Sequence, residues 1–221
     1  LRRQRQMCIR DRNLAKNKLM VNFHGANTPT GEERSWPHEM SREGIYGGEQ
    51  NIWAAIGGRH YCALPFTRLV SGHADFTGGY FGHGPKLRGS SWPLQMAANI
   101  IYTSPVLHWV SNPADMEAAF PKGSPEREAV RNIPSVWDET IVLPPSAIGE
   151  CAAFARRSGD QWYIALMNGD GRERTVSIPL DFLNRNTAYR DTILRDLPEK
   201  NDGWKVENRE LHSLSLIHIS E

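Results

Sequence analysis

Cysteine is scarce. The 221 residues hold three, Cys8, Cys62 and Cys151, too few and too far apart for a disulfide framework or a thiolate zinc site. Cys62 and Cys151 are expected to be buried thiols, the other possibility being one bridge between them. An excess of charge of one sign is also missing, with 26 basic against 25 acidic residues. That leaves no electrostatic handle for nucleic acid or for an anionic membrane surface. No apolar run approaches the roughly 20 residues that a bilayer span requires. Internal repeats and low-complexity tracts are absent as well. What is abundant is glycine (19), proline (14) and tryptophan (7), a composition of long loops and aromatic surfaces that is compatible with carbohydrate binding.

The two ends read differently from the rest. Residues 2–11, RRQRQMCIRD, are the translation of CGTCGGCAGCGTCAGATGTGTATAAGAGAC in one frame. Residues 214–221, LSLIHISE, are the translation of CTGTCTCTTATACACATCTCCGAG. Both strings are transposase-type sequencing adapters, so 1–12 and 214–221 are expected to be read-through and the native stretch to run from Asn13 to Ser213. The alternative for the amino-terminal end is a basic arm that binds nucleic acid. Setting aside Arg2, Arg3, Arg5, Arg10, Arg12, Asp11 and Glu221 leaves 21 basic and 23 acidic residues, which removes the basic excess.

Between the ends the pattern changes once. Asn13 to Lys18 reads as the end of a polar helix feeding a short buried strand at Leu19 to Phe23, an αβ step of a parallel sheet. A long polar loop follows from His24 to Gly48, and loops of that length inside a compact domain are often functional. Ala63 to Val70 reads as a further strand and turn. Ser91 to Tyr102 carries the clearest helical signal, with Ser91 as cap and Leu94, Ala97, Ala98 and Ile101 on one face. Asn112-Pro113 opens a second helix. After Trp137 the text breaks into short strands, Trp137–Leu143, Cys151–Arg157, Trp162–Asn168, Arg174–Ile178, Tyr189–Arg195 and Trp204–Val206. Turn signals at Ser158-Gly159-Asp160 and Asn168-Gly169-Asp170-Gly171 separate some of them, the spacing of a β-sandwich. The boundary falls at Trp137 or at Pro144-Pro145.

The chemistry-bearing residues crowd into the long loop. His24, Gly25, Pro29, Thr30, Gly31, Arg34, Pro37, Glu43, Gly44, Gly47 and Glu49 together resemble the active-site region of glycoside hydrolase family 97. Leu64 to Arg68, Gly72 and Asp75 to Thr77 resemble its last barrel strand and loop, and Trp137 to Thr140 its entry into the C-terminal sandwich. The resemblance implies an α/β fold: residues 13–136 as the C-terminal part of a (β/α)8 catalytic barrel, and residues 137–213 as an incomplete all-β C-terminal sandwich. It implies hydrolysis of α-glucosidic or α-galactosidic bonds with a calcium ion (Ca2+), and an oligosaccharide or α-glycoside as substrate. Glu49 matches the catalytic acid, Glu43 and Glu49 match calcium-contacting carboxylates, and His24 matches a substrate-binding histidine. The family is typically secreted or periplasmic.

General chemistry agrees with these roles. Glycoside cleavage needs a carboxylic acid at the leaving oxygen and a second carboxylate across the sugar. Calcium takes six to eight oxygen ligands. Gly44, Gly47 and Gly48 are expected to let the loop approach such an ion closely. Each position also has a plainer reading. Glu43 and Glu49 could be solvated loop carboxylates, and His24 a cap on a strand end. Trp36 and Trp53 could stack on sugars or fill a core, while Asp75 and Arg68 are expected to form structural ion pairs beneath the barrel mouth. The tryptophans after Trp137 are expected to be mostly core.

Gly25 carries mechanistic information. Inverting members of the family have a glutamate directly after the histidine, serving as base and calcium ligand, and a glycine can do neither. The resemblance is therefore to the retaining branch, whose nucleophilic aspartate lies on a strand upstream of Asn13. An α-galactosidase is the first expectation. An α-glucosidase of the same family and a non-catalytic carbohydrate-binding sandwich are the alternatives. Without the nucleophile the chain by itself is expected to be inactive. His38 and Gly78, where the family usually has asparagine and proline, are small departures.

Overall fold

The computed structural model describes the backbone of residues 2–81, 87–185, 187–212 and 217–220, and side chains over 9–81, 87–185 and 187–211. Residues 1, 214–216 and 221 of the two expected read-through segments lie outside the described residues, as does the Cys8 side chain. The described residues form a small mixed α/β assembly with four sheets. No described helix is long and apolar enough to cross a membrane.

A helix over Arg2–Lys16 runs through the expected boundary at Arg12. Asp11 within it is 1% exposed, and its Oδ1 has no hydrogen-bond partner among the described residues. The helix leads to β1 (Val21–Phe23), which pairs in parallel with β2 (Glu39–Arg42). The expected parallel step is therefore present, although β1 is half-buried rather than fully buried. Two isolated parallel bridges, Arg42 with Ala74 and Gly78 with Trp109, extend the same sense of pairing. Buried Arg42 donates through both Nε and Nη2 to Glu39 and lies over the Phe23 ring.

The segment Ala63–Val70 departs from expectation. It is helical rather than extended: a short α-helix over Gly58–Ala63 runs into 3₁₀ turns at Leu64–Phe66 and Arg68–Ser71. Tyr61, Cys62, Leu64 and Leu69 are the buried positions, a helical rather than an alternating set. Pro65, which has no N–H to lose, occupies the first turn of the 3₁₀ segment. The helix Trp92–Ile101 forms as its sequence predicts, with Ser91 Oγ accepting from the Leu94 N–H. Asn112 caps Pro113–Ala119 in the same way, and a further helix covers Pro125–Arg131.

The strands after Trp137 also match their expected positions. β3 (Glu139–Val142), β4 (Cys151–Ser158) and β5 (Gln161–Asn168) form an antiparallel sheet. β6 (Thr175–Ile178) pairs with β9 (Ile217–Ser220), and β7 (Ala188–Leu197) with β8 (Lys200–His212). β4 joins the two halves of the molecule. Alternate strand residues face opposite sides, and both sides of β4 are buried. Cys151, Ala153 and Ala155 enter a core with Leu143, Val176, Ile178 and Leu183. Ala152 and Phe154 enter another with Tyr61, Cys62, Phe76, Ala98 and Ile101. Alanine recurs on β4 because neither side leaves room for more. Cys62 and Cys151 are buried thiols, and Cys62 Sγ–H donates to the Met167 carbonyl at 3.2 Å. Arg156 ties the halves further, donating to Ile100 O at 2.8 Å from under the Trp137 ring.

A shared strand makes the core facing the helices sensitive from the side of the antiparallel sheet. Phe154→Ala is expected to cost about 3–5 kcal/mol of unfolding free energy. Exposed Ile148→Ala is expected to stay within roughly 0.5 kcal/mol. Denaturant unfolding measures both, and equal small losses would contradict the shared core.

Candidate active site

The loop predicted to carry the chemistry is folded back on itself by backbone contacts. His24 follows the last residue of β1, and Glu43 follows the last residue of β2. Because β1 and β2 are parallel, both residues emerge at the same end of the sheet. Glu49 lies in a 3₁₀ turn, Gly48–Ile52. The Gly48 N–H donates to Phe76 O at 2.6 Å, and the buried Tyr80 hydroxyl donates to Gly48 O at 2.7 Å. Burial pushes the Tyr80 phenol up to about 12, so it stays a donor.

The glycines admit a close approach of backbone to backbone. At Gly44, with φ +34°, a Cβ would stand 2.7 Å from the Asn27 carbonyl carbon; at Gly48 it would stand 2.5 Å from Thr77 O. Their absent side chains let backbone pack on backbone and so bring Glu43 and Glu49 beside His24. One ligand atom from each of these three residues lies within 4.8 Å of the other two. His24 Nδ1 is 3.8 Å from Glu43 Oε2, and the Gly25 N–H donates to that same oxygen at 2.5 Å. The carboxylates are partly buried and the histidine is exposed.

Of the two residues expected in ion pairs, Asp75 pairs with His24 and His108, while Arg68 has no carboxylate partner among the described residues. They form no ion pair with each other. Arg68 instead bridges carbonyls, donating to Gly44 O at 2.7 Å, Gly72 O at 3.1 Å and His73 O at 3.2 Å. Its guanidinium clamps the Glu43–Gly44 backbone to the 72–73 turn, and burial lowers its pKa. Asp75 belongs to the site itself. Its carboxylate has no exposed surface, and Oδ2 accepts from His24 Nε2 and from Asn22 Nδ2, each at 2.7 Å. His108 Nδ1 makes a short contact to the same oxygen. Oδ1 accepts from the Thr77 N–H at 3.1 Å. Burial acts to raise the Asp75 pKa, but the hydrogen bonds from His24, Asn22 and His108 and the His108 charge bring it below the ordinary value. His24 is held above its ordinary value, first by the hydrogen bond to Asp75, against desolvation, and then by the charges of Asp75, Glu43 and Glu49.

His108 had no signal of its own in the sequence. It stands among apolar residues in Val106 to Val110, and only the fold carries it to Asp75. Trp53 is 65% exposed near the loop, so it does not fill a core, and Trp36 packs edge-on against His38. Trp162 packs on Phe182 in the sandwich core, and Trp204 on Trp92 and Phe120. A groove of about 500 Å³ lies elsewhere, between the helix Trp92–Ile101 and strands β5 and β7. Glu43, Glu49, Asp75, His24 and His108 are not among its lining residues.

Family models match two stretches of the chain: "Glycoside hydrolase 97" over residues 6–45 and "Glycosyl-hydrolase 97 C-terminal, oligomerisation" over residues 136–220. The chain is 34% identical over 180 residues to a probable retaining alpha-galactosidase of Streptomyces bingchenggensis, covering 81% of this chain and 27% of the relative. It is 31% identical over 198 residues to the retaining alpha-galactosidase of Bacteroides thetaiotaomicron, covering 82% and 28%. It therefore spans little more than a quarter of either relative's length. Among solved structures it resembles family 97 enzymes from Pseudoalteromonas sp. strain K8. An E480Q variant in complex with panose superposes with TM-score 0.81 and a complex with acarbose with 0.79; each shares 25% identity and covers 95% of this chain and 34% of the other.

An aspartate held below its ordinary pKa stabilises the fold above about pH 4 and loses that contribution as the pH falls. A histidine held above its ordinary value stabilises below about pH 6.5 and loses that contribution as the pH rises through the raised value. Unfolding free energy is therefore expected to be highest between these limits, and Asp75→Asn is expected to flatten both limbs. Denaturant titrations across pH measure this, and an unchanged profile in the variant would contradict it.

Proposed function

The chain belongs to glycoside hydrolase family 97, and from that premise we propose that it is the C-terminal part of a retaining, calcium-dependent exo-α-glycosidase, an α-galactosidase. In this reading residues 13–136 are the last part of a (β/α)8 barrel and residues 137–213 its C-terminal sandwich. Parallel β1 and β2, each delivering a site residue just past its last position, support the barrel assignment, because barrel enzymes carry their chemistry at that end of the strands. The convergence of Glu43, Glu49 and His24 carries the hydrolase reading.

Glu49 is the acid/base. It protonates the leaving oxygen as the bond to the anomeric carbon breaks, and later takes a proton from the water that releases the sugar. In this reading the nucleophile is an aspartate on an earlier barrel strand. Glu43 and Glu49 suit a calcium ion: they are neighbouring, partly buried hard-oxygen donors whose mutual repulsion a cation relieves. Calcium bound there would supply positive charge against sugar oxygens. His24 Nε2 is committed to Asp75, so the residue binds substrate through its other face.

Gly25, with φ +61° and its N–H on Glu43, offers no base at that position, which supports retention. The retaining α-galactosidases among the relatives support galactose. An α-glucosidase is the second reading, favoured by the panose and acarbose complexes of the structural neighbours.

In the full-length enzyme, Glu49→Gln is expected to lower turnover of substrates with poor leaving groups by about 10²–10⁴-fold. An activated aryl α-galactoside needs little protonation and is expected to lose far less. Equal losses on both substrates would contradict the acid role.

A further inference from the structure

Asp75 and His108 have no part in the assignment above, yet they are joined to each other and to His24 by polar contacts beside the loop. Asp75 is ionised at neutral pH, since its donors hold its pKa down, and an ionised carboxylate only accepts hydrogen bonds. Each imidazole nitrogen facing it must therefore carry the proton. For His24 that nitrogen is Nε2, at 2.7 Å. For His108 it is Nδ1, which contacts the same Oδ2. A neutral imidazole with one protonated nitrogen offers the other as an acceptor. Where the rings are neutral, they are thus fixed as opposite tautomers, His24 with Nδ1 open and His108 with Nε2 open.

Neither open nitrogen has a hydrogen-bond partner among the described residues. His24 Nδ1 stands 3.8 Å from Glu43 Oε2, beyond hydrogen-bond reach. His108 Nε2 has no hydrogen-bond partner among the described residues. The side chains are 42% and 54% exposed, and the rings meet edge to face with centroids 5.7 Å apart. Each lone pair needs its own proton, so the pair calls for a ligand with two neighbouring O–H donors. A pyranose ring has such a pair.

A metal at these three residues is the competing reading, since their ligand atoms also cluster within 4.8 Å. The contacts disfavour it. Nitrogen and oxygen ligands on a tetrahedral zinc stand roughly 3.3 Å apart, whereas His24 Nε2 and Asp75 Oδ2 are 2.7 Å apart, a hydrogen-bond distance. Asn22 Nδ2 donates to that oxygen as well.

We propose that Asp75 is a positioning residue that locks His24 and His108 as opposite tautomers, and that His108 is a second substrate-binding histidine, the two accepting from adjacent hydroxyls of the terminal sugar. The substrate role rests on the glycosidase reading; the tautomers do not.

Two measurements on the full-length enzyme test it. Long-range ¹H–¹⁵N spectra of the imidazoles are expected to show the proton on Nε2 of His24 and on Nδ1 of His108, and both assignments are expected to be lost in Asp75→Asn. Either ring in the other tautomer would overturn the positioning role. For substrate binding, aryl α-glycosides lacking one hydroxyl at a time are compared with the parent. In the wild type, removing the contacted hydroxyl is expected to lower kcat/KM by roughly tenfold. In His108→Ala the parent is expected to fall to the level of that deoxy substrate, with no further loss on removing the hydroxyl, and His108→Gln is expected to recover part of the difference. A merely structural histidine would lower all substrates together, and that result would overturn the substrate role. An enzyme that hydrolysed no α-glycoside would sink the glycosidase reading and the substrate role of His108 together, while the spectra would still decide the role of Asp75.

Discussion

A carboxylate with no exposed surface stays charged only if donors surround it, and the site is built on Asp75 meeting that demand. Its donors come from three places in the chain: Asn22 and His24 around the end of β1, Thr77 in its own turn, and His108 beyond the helix Trp92–Ile101. Removing a donor would leave a buried charge short of a partner, at a cost of several kcal/mol. The contact to His24 therefore does more than hold a ring. It fixes where β1 ends relative to the 72–77 turn, and so where the long loop begins.

The loop's other end is fixed by close backbone approach. Gly44 against Asn27 and Gly48 against Thr77 leave no room for a Cβ, and Arg68 draws the Gly44, Gly72 and His73 carbonyls onto one guanidinium. With both ends set, Glu43 and Glu49 have little freedom except to face His24. Two carboxylates this close repel one another, which is the electrostatic situation a divalent cation resolves. The proposed glycosidase reading rests on that arrangement, taking Glu49 as the acid and the two carboxylates as the cation ligands beside an oriented histidine.

Much of the molecule was legible in the sequence because its signals were local. Ser91 and Asn112 announced their helices through caps, and the Gly-Asp and Asn-Gly turns delimited the strands after Trp137. The loop from His24 to Gly48 stood out by its length and its glycines. What was not legible depended on tertiary context. Ala63–Val70 resembled a strand because its apolar residues fit either period over so short a span. Asp75 and Arg68 suggested ion pairing by charge alone, whereas burial gave one of them histidine and amide partners and the other backbone carbonyls. His108 carried no signal at all, since its partner lies 33 residues away. The role of β4 was hidden as well: an alanine-rich strand reads as weak until both of its faces are seen to be buried.

That strand also bears on how the site is supported. Tyr61, Cys62 and Phe76 pack in the same core as Phe154 and Met167 from the sandwich, and Phe76 is the residue whose carbonyl receives the Gly48 N–H. The sandwich thus reaches the turn that carries Glu49 through one layer of side chains. The most direct test of the account is anomalous scattering from a crystal of the full-length enzyme grown with calcium. The account predicts a single peak about 2.3–2.6 Å from oxygens of both Glu43 and Glu49. A calcium held by neither carboxylate, or the two side chains turned away from each other in that crystal, would contradict it.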